Sequence, residues 1–462
     1  QRQENIAPFV SLKLAELLIF YSEYVRHAPS YSLGLLAKGM AFYRLGRHQA
    51  ALENLDAAGE EFQHLGDEVG WARTRMCWIL PAIWLGRTEE ALQAAACARE
   101  IFLRHGEYSR VCMVDNNTAI AYTRLGRYQE AIALYTRLRA TYPNLTDQSE
   151  TFIKRARAMA ENNQAMNLFW LGKFEEAYRL MEQAKESFIA LGEPSFIIYA
   201  DMNLAWYDNV LGFYSSALQR YYHARDSVIQ NEVDDPMLVA SLNYDMTECL
   251  VNLNRVQEAC QLASEAVKTY RQFDISLSTG EALCRLAMAL RASGRSEEAL
   301  AALDEACTFF SRGRNDHYTF TTKLQRAELL LEKGFAAEAY HEANSTLEYF
   351  IGKGLVSFAI RAGLVKVGAL LINAQRTESD GEKQKLLQEA VLICKKIAMQ
   401  AHQYKLQEQV YKSQYLLGQL AAAQGDSKKA VKHYGAAITQ IERILDNLVY
   451  DLSPSFLHTT WT

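Results

Sequence analysis

The chain is poor in the residues and patterns from which catalytic sites, metal sites and charged ligand surfaces are made. Basic residues are not in excess: 49 Lys and Arg stand against 54 Asp and Glu, for a formal net charge of -5 and a pI near 6.1. A nucleic-acid footprint needs clustered Lys and Arg, so nucleic-acid binding is not expected. None of the eight cysteines forms a C-x-x-C pair. Cys77, Cys97, Cys112, Cys249, Cys260, Cys284, Cys307 and Cys394 are scattered, mostly in apolar stretches, and read as small core residues of a cytoplasmic protein. No run of 18 apolar residues occurs; the longest approach, Leu12 to Val25, is broken by Lys13, Glu16 and Glu23. Neither a membrane span nor a signal peptide is therefore expected.

Catalytic patterns are missing as well. There is no G-x-x-x-x-G-K-[ST], no G-x-S-x-G and no H-E-x-x-H, and the ten histidines lack the paired spacing of a metal site. They fall mostly near loops or on polar helix faces. The reading is a segment that is not an enzyme and carries no cofactor or metal. What remains is an ordinary globular composition, 49% hydrophobic and 22% charged, able to bury a large core.

What is present is a repeat. A turn residue recurs at Gly46, Gly86, Gly126, Gly172, Gly212, Asn254, Gly294, Gly334 and Gly425, most spacings being 40 or close to it, with one degraded copy between the last two. Five residues after each turn stands an alanine, at Ala51, Ala91, Ala131, Ala177, Ala217, Ala259, Ala299, Ala339 and Ala430. Seven residues before it stands a small residue in most copies, for example Gly39, Ala119, Ala165, Ala205, Ala287, Ala327 and Gly418. Glycine frees the backbone to leave one helix, and the small residues let a second helix cross the first closely. A fixed period of this length means a stack of helix pairs, each packed on its neighbours.

The small-x6-Gly-x4-Ala-x6-Ala phase resembles the tetratricopeptide repeat (TPR). That family's usual period is 34, and 40 lies at the low end of the HEAT and armadillo range, so HEAT-like pairing is the alternative. The phase favours TPR, with six extra residues lengthening the helices or their connection. The expected fold is all-α, a right-handed α-solenoid of about ten TPR-like helix pairs. Residues 1–30 are expected to form an N-terminal capping helix or partial repeat, 31–447 the solenoid, and 448–462 a linker toward a missing domain. The period slips by six residues between Gly126 and Gly172, assigned to Tyr142 to Thr151, and by eleven between Gly334 and Gly425, assigned to Asn373 to Lys383. The chain opens on Gln1 directly ahead of a helical pattern, which reads as an excised or processed segment.

Nine residues before successive turns lie Asn117, Asn163, Asn203, Asp245, Arg285 and Gln325, whereas Ala37, Cys77 and Leu416 hold that phase near the ends. In a TPR-like stack the first helices line the concave face, so these six form a candidate polar ladder for a protein or peptide ligand. An Asn amide can both donate to and accept from an extended peptide backbone. Asn116 and Asn162 repeat the amide one residue earlier, and Met166 and Trp206 offer apolar contacts. The competing role for the same amides is to bond neighbouring helices and specify the stack.

The last unit runs Tyr415-Leu416-Leu417-Gly418, Gly425-Asp426, Ala430, Tyr434, Ala437-Ile438 and Ile441-Glu442-Arg443-Ile444, then continues through Leu448 to Trp461. It resembles the end of bacterial TPR arrays that lead into a CHAT domain, a caspase-like protease fold. The resemblance implies an interaction and regulatory module that controls an attached effector, whose catalytic His and Cys would lie beyond Thr462. The alternative is the inducer-sensing helical arm of a signalling or transcription ATPase.

Overall fold

The computed structural model describes residues 2–231, 235–312 and 315–446, with side chains from residue 9 onward. The expected linker 448–462, and the stretch from Leu448 to Trp461 that resembles CHAT-associated arrays, lie outside the described residues. Among the described residues the protein is helical with no strand. A single helix, α1 (Arg2–Tyr24), precedes ten pairs. These are α2 (Ala28–Arg44) with α3 (His48–His64), α4 (Glu68–Trp84) with α5 (Thr88–Arg104), α6 (Tyr108–Arg124) with α7 (Tyr128–Thr141), and α8 (Glu150–Trp170) with α9 (Phe174–Leu191). Next come α10 (Pro194–Leu211) with α11 (Tyr214–Gln230), α12 (Pro236–Asn252) with α13 (Val256–Gln272), and α14 (Ser276–Ala292) with α15 (Ser296–Arg312). The last three are α16 (Asp316–Glu332) with α17 (Ala336–Gly352), α18 (Val356–Arg376) with α19 (Asp380–Gln403), and α20 (Gln407–Ala423) with α21 (Ser427–Asp446).

The period of 40 has a simple origin. Most helices are 17 residues long and are joined by three-residue turns such as Leu45, Gly46 and Arg47, so a half-unit takes 20 residues and a pair takes 40. The six residues beyond the usual TPR length therefore go into the helices. The turns within the pairs that end on a positive-φ residue are Schellman motifs. At Gly126, φ is +71°, its N–H donates to Thr123 O at 3.1 Å, and the Arg127 N–H reaches back to Tyr122 O at 2.8 Å. The left-handed residue satisfies two orphan carbonyls and stops the helix in one step. Asn254 does the same at φ 55° with the Arg255 N–H on Leu250 O, which explains why asparagine can replace glycine there.

The phased small residues sit where helices cross. Ala51, Ala91, Ala131, Ala177 and Ala217 are fully buried. A Cβ at Gly39 would stand 2.7 Å from Leu55 Cγ and 3.2 Å from the Ala51 carbonyl oxygen, so the close α2–α3 crossing admits nothing larger. The six-residue slip is taken up partly by the 3-10 turn Tyr142–Asn144 and the loop to Ser149, which caps α8 by accepting from Phe152 N at 3.2 Å, and partly by a 21-residue α8. The eleven-residue slip assigned to Asn373 to Lys383 is mostly helical. Only residues 377–379 are non-helical, and the excess lengthens α18 to 21 and α19 to 24 residues. Helix α18 is long and apolar enough to cross a membrane by composition, but its apolar face is buried in the core formed by Leu364, Val367, Leu370, Leu387 and Cys394.

The stack coils back on itself. Tyr128 and His317, 189 residues apart, meet with 3.0 Å between the hydroxyl and Nε2. Asn315 Nδ2 donates to Arg124 O at 2.8 Å, and Arg124 Nη1 lies 3.1 Å from Glu281 and 3.0 Å from the Tyr318 hydroxyl. Lys405 pairs with Glu175 at 2.8 Å across 230 residues. Turn glycines carry this contact too: Gly46 faces Phe273, Gly126 faces His317 and Gly172 faces Tyr404. Successive coils of the superhelix therefore touch turn to turn along one side of the interior.

Candidate functional site

The interior is a cavity of about 1540 Å³, larger than the 300–1,000 Å³ of a typical small-molecule pocket. First helices of each pair supply most of its wall, from α6 through α20, and α21 contributes Tyr434, Ala437, Ile438 and Ile441. Five of the six ladder residues line it: Asn163 on α8, Asn203 on α10, Asp245 on α12, Arg285 on α14 and Gln325 on α16, as does Trp206. Asn117, half-buried on α6, is not part of this wall; its Oδ1 lies 3.4 Å from Asn116 Nδ2.

Neighbouring amides bond one another. Asn203 Nδ2 donates to Asn162 Oδ1 at 3.2 Å, and Asn162 Nδ2 donates to Asn163 Oδ1 at 3.2 Å. The ladder thus helps to join α8 and α10. Further along, Asn252 Nδ2 donates to Asn209 Oδ1 at 3.2 Å, repeating the amide contact one pair on. Beside these amides stands an aromatic wall. Trp206 packs 4.5 Å from Phe169 and 4.7 Å from Trp170, centroid to centroid, and Trp170 stacks on Phe358 of α18 at 5.2 Å.

Beyond the amides the wall is ionic. Arg285 pairs with Glu248 at 2.7 Å and lies 4.9 Å over the Tyr244 ring. Burial opposes the Arg285 charge, but Glu248, Tyr244 and Asp245 outweigh it and hold the guanidinium firmly protonated. Arg291 reaches Glu328 at 2.8 Å and Glu332 at 3.2 Å, and Arg361 reaches Glu328 at 2.9 Å. Burial raises the Glu328 carboxyl, yet Arg361 and Arg291 overcome it and bring its pKa down to about 2. Lys412 pairs with Glu408, and Arg124 with Glu281. Asp245 differs: among the described residues it makes no ion pair or hydrogen bond, and burial, aided by Glu281 and Glu248 and only partly offset by Arg285, pushes its pKa up to about 7.

Two histidines depart from the expected polar surroundings. His48 and His317 are buried, and burial lowers both to about 4, so they are neutral at physiological pH. His317 lines the cavity against Tyr128, Trp170 and Phe358. The expected core placement of the cysteines holds for Cys112, Cys249, Cys284 and Cys394, whereas Cys97 is exposed.

Ten wall residues missed from the sequence share one signal with Met166 and Trp206. Six residues before the turns stand Ile120, Met166, Trp206, Glu248, Met288 and Glu328, and two before them stand Arg124, Trp170, Val210, Asn252, Ala292 and Glu332; all line the cavity. Together with the phase nine before the turn they trace one helical face.

A family profile described as tetratricopeptide repeat matches residues 117–149, and a second with the same description matches 280–309 and 411–442. The chain carries TPR repeats in an all-α solenoid of helix pairs. A solved structure of a Rap protein complexed with Competence and Sporulation Factor is similar at a TM-score of 0.54 and 14% identity, over 76% of this chain and 95% of that one. The TPR-sensor STAND protein PH0952 from Pyrococcus horikoshii aligns at a TM-score of 0.43 and 13% identity, over 79% of this chain and 55% of that one. The apo form of RapI aligns at 0.42 and 14%, over 73% and 99%. These likenesses concern the fold. No curated protein sequence matches the chain.

Proposed function

We propose that this protein is a cytosolic binding scaffold whose interior holds a peptide, and that occupancy regulates an attached effector. The observation that carries the reading is the convergence of Asn163, Asn203, Asp245, Arg285 and Gln325, one residue from each of five successive pairs, on one large cavity. Equal spacing of polar side chains along a channel suits an extended backbone, whose donors and acceptors also recur at a fixed interval. The likeness in fold to a Rap protein solved in complex with Competence and Sporulation Factor supports a ligand-binding reading.

A route to an effector is available through α21. Tyr434, Ala437, Ile438 and Ile441 line the cavity, and Ile444 is buried against the α10–α13 core. A ligand that moved α21 would act on whatever domain is joined there, a CHAT protease domain being the first choice. The coil-to-coil closure also suits the second reading, an inducer-sensing arm of a signalling or transcription ATPase, because closing around a ligand changes the whole superhelix. The flanking reading frame separates them: a His/Cys protease domain downstream favours the first, and a nucleotide-binding domain upstream favours the second.

Binding itself is tested by gel filtration of the chain with a mixed hexapeptide pool, followed by mass spectrometry of what co-elutes. Retention of peptides is expected. A chain that retains none is not a peptide scaffold.

A further inference from the structure

Every cation on the cavity wall is already matched. Arg124, Arg285, Arg291, Arg361 and Lys412 each hold a carboxylate within ion-pair distance, at Glu281, Glu248, Glu328, Glu328 and Glu408 respectively. Asp245 is the wall carboxylate without an ion-pair partner among the described residues, so the wall has one more carboxylate than it has cations, at the junction between the amide and ionic stretches. A carboxylate with no ion pair of its own, set beside Glu281 and Glu248, is electrostatically unfavourable, and a ligand cation placed against it offsets that repulsion. Such an arrangement favours a cation and disfavours an added anion.

We infer that the interior selects a short basic peptide, with a Lys or Arg side chain seated on Asp245 and the adjoining backbone on the Asn163 and Asn203 amides. Asn203 and Asp245 occupy the same phase on the adjacent first helices α10 and α12, which places the amide and the carboxylate at neighbouring steps of the ladder. The apolar wall at Trp170 and Trp206 lies on the amide side, where it suits an uncharged neighbouring side chain. A short free peptide matches the size of the cavity, about 1540 Å³, which is bordered by coils that meet at contacts such as Tyr128 with His317. Burial already holds part of Asp245 protonated near neutrality, so an incoming cation would also draw it to its ionised form.

This inference rests on the reading of the interior as a peptide chamber, and one experiment separates the two. The full chain and Asp245→Asn are each passed with a pool of N-acetylated, C-amidated hexapeptides at pH 8, so that only side chains bear charge. The wild-type chain is expected to enrich Lys- and Arg-containing peptides by about tenfold over the input, the worth of one charge-assisted contact. Asp245→Asn is expected to lose that enrichment. Wild-type retention without basic enrichment, or equal enrichment by Asp245→Asn, overturns the inference and leaves peptide binding standing; no retention overturns both. If Asp245→Asn fails to fold, the composition of the wild-type pool alone decides.

Discussion

At the scale of single residues, two acids of one channel titrate in opposite directions, and pairing decides which way. Glu328 sits between two guanidinium groups and its pKa is lowered to about 2, so its contribution to stability is present above its ordinary value of 4.5 and is lost as pH falls toward 2. Asp245 has no such partner and its pKa is raised to about 7, so the stability it contributes when protonated is fully present below 3.8 and is lost as pH rises through 7. Glu328→Gln leaves Arg291 and Arg361 short of a carboxylate and is expected to cost roughly 3 kcal/mol at pH 7, with the gap to wild type narrowing as pH approaches 2. Denaturation midpoints at pH 7 and pH 3 check this; a gap that widens in acid would refute the assignment. The sequence showed Asp245, Arg285 and Gln325 as members of a phase but not their pairing. Glu328 and Arg361 lie 33 residues apart, and no local spacing links them.

The helix pair is the element, and its punctuation was the most legible feature of the chain. Turn glycines and crossing alanines are required by backbone conformation and contact within one unit, so they recur in register. Legibility fell where a turn has a second duty. Gly126 and Gly294 both adopt positive φ, but a Cβ at Gly126 would come 3.0 Å from His317 Cβ, whereas nothing lies within 4 Å of one at Gly294. Gly294→Ala is expected to cost about 1–2 kcal/mol, the price of a left-handed alanine. Gly126→Ala is expected to cost distinctly more, because it also pushes α7 from α16. Equal thermal midpoints for the two variants would show that the inter-coil contact contributes nothing. The eleven-residue slip showed its place but not its conformation for a related reason: its polar residues, including Asp380 and Glu382 in the first turn of α19, suit an exposed helix as well as a connection.

For the whole molecule, the property that matters is closure, and it was invisible to periodicity. A repeat reports what each unit does to its neighbour; contacts between residues 157 to 230 positions apart leave no fixed spacing. The groove expected from the repeats is bordered by contacting coils, and its ladder extends across five pairs instead of six because Asn117 falls outside the wall. Arg124 ties the coils at three points, through Glu281, Tyr318 and its own carbonyl to Asn315. Arg124→Ala is expected to leave helical content unchanged and to increase the radius of gyration measured by X-ray scattering. An unchanged radius would mean that the coils stay shut without this clamp.

The central claim is that the asparagine ladder of this chamber binds ligand and does more than knit α8 to α10. Its most direct test is Asn163→Ala combined with Asn203→Ala, measured as hexapeptide retention alongside circular dichroism. Loss of retention by tenfold or more is expected, about 1.4 kcal/mol or above for the two amides together, with the helical signal intact. Undiminished retention, or collapse of the helical signal, would contradict the claim and return the asparagines to a purely structural role.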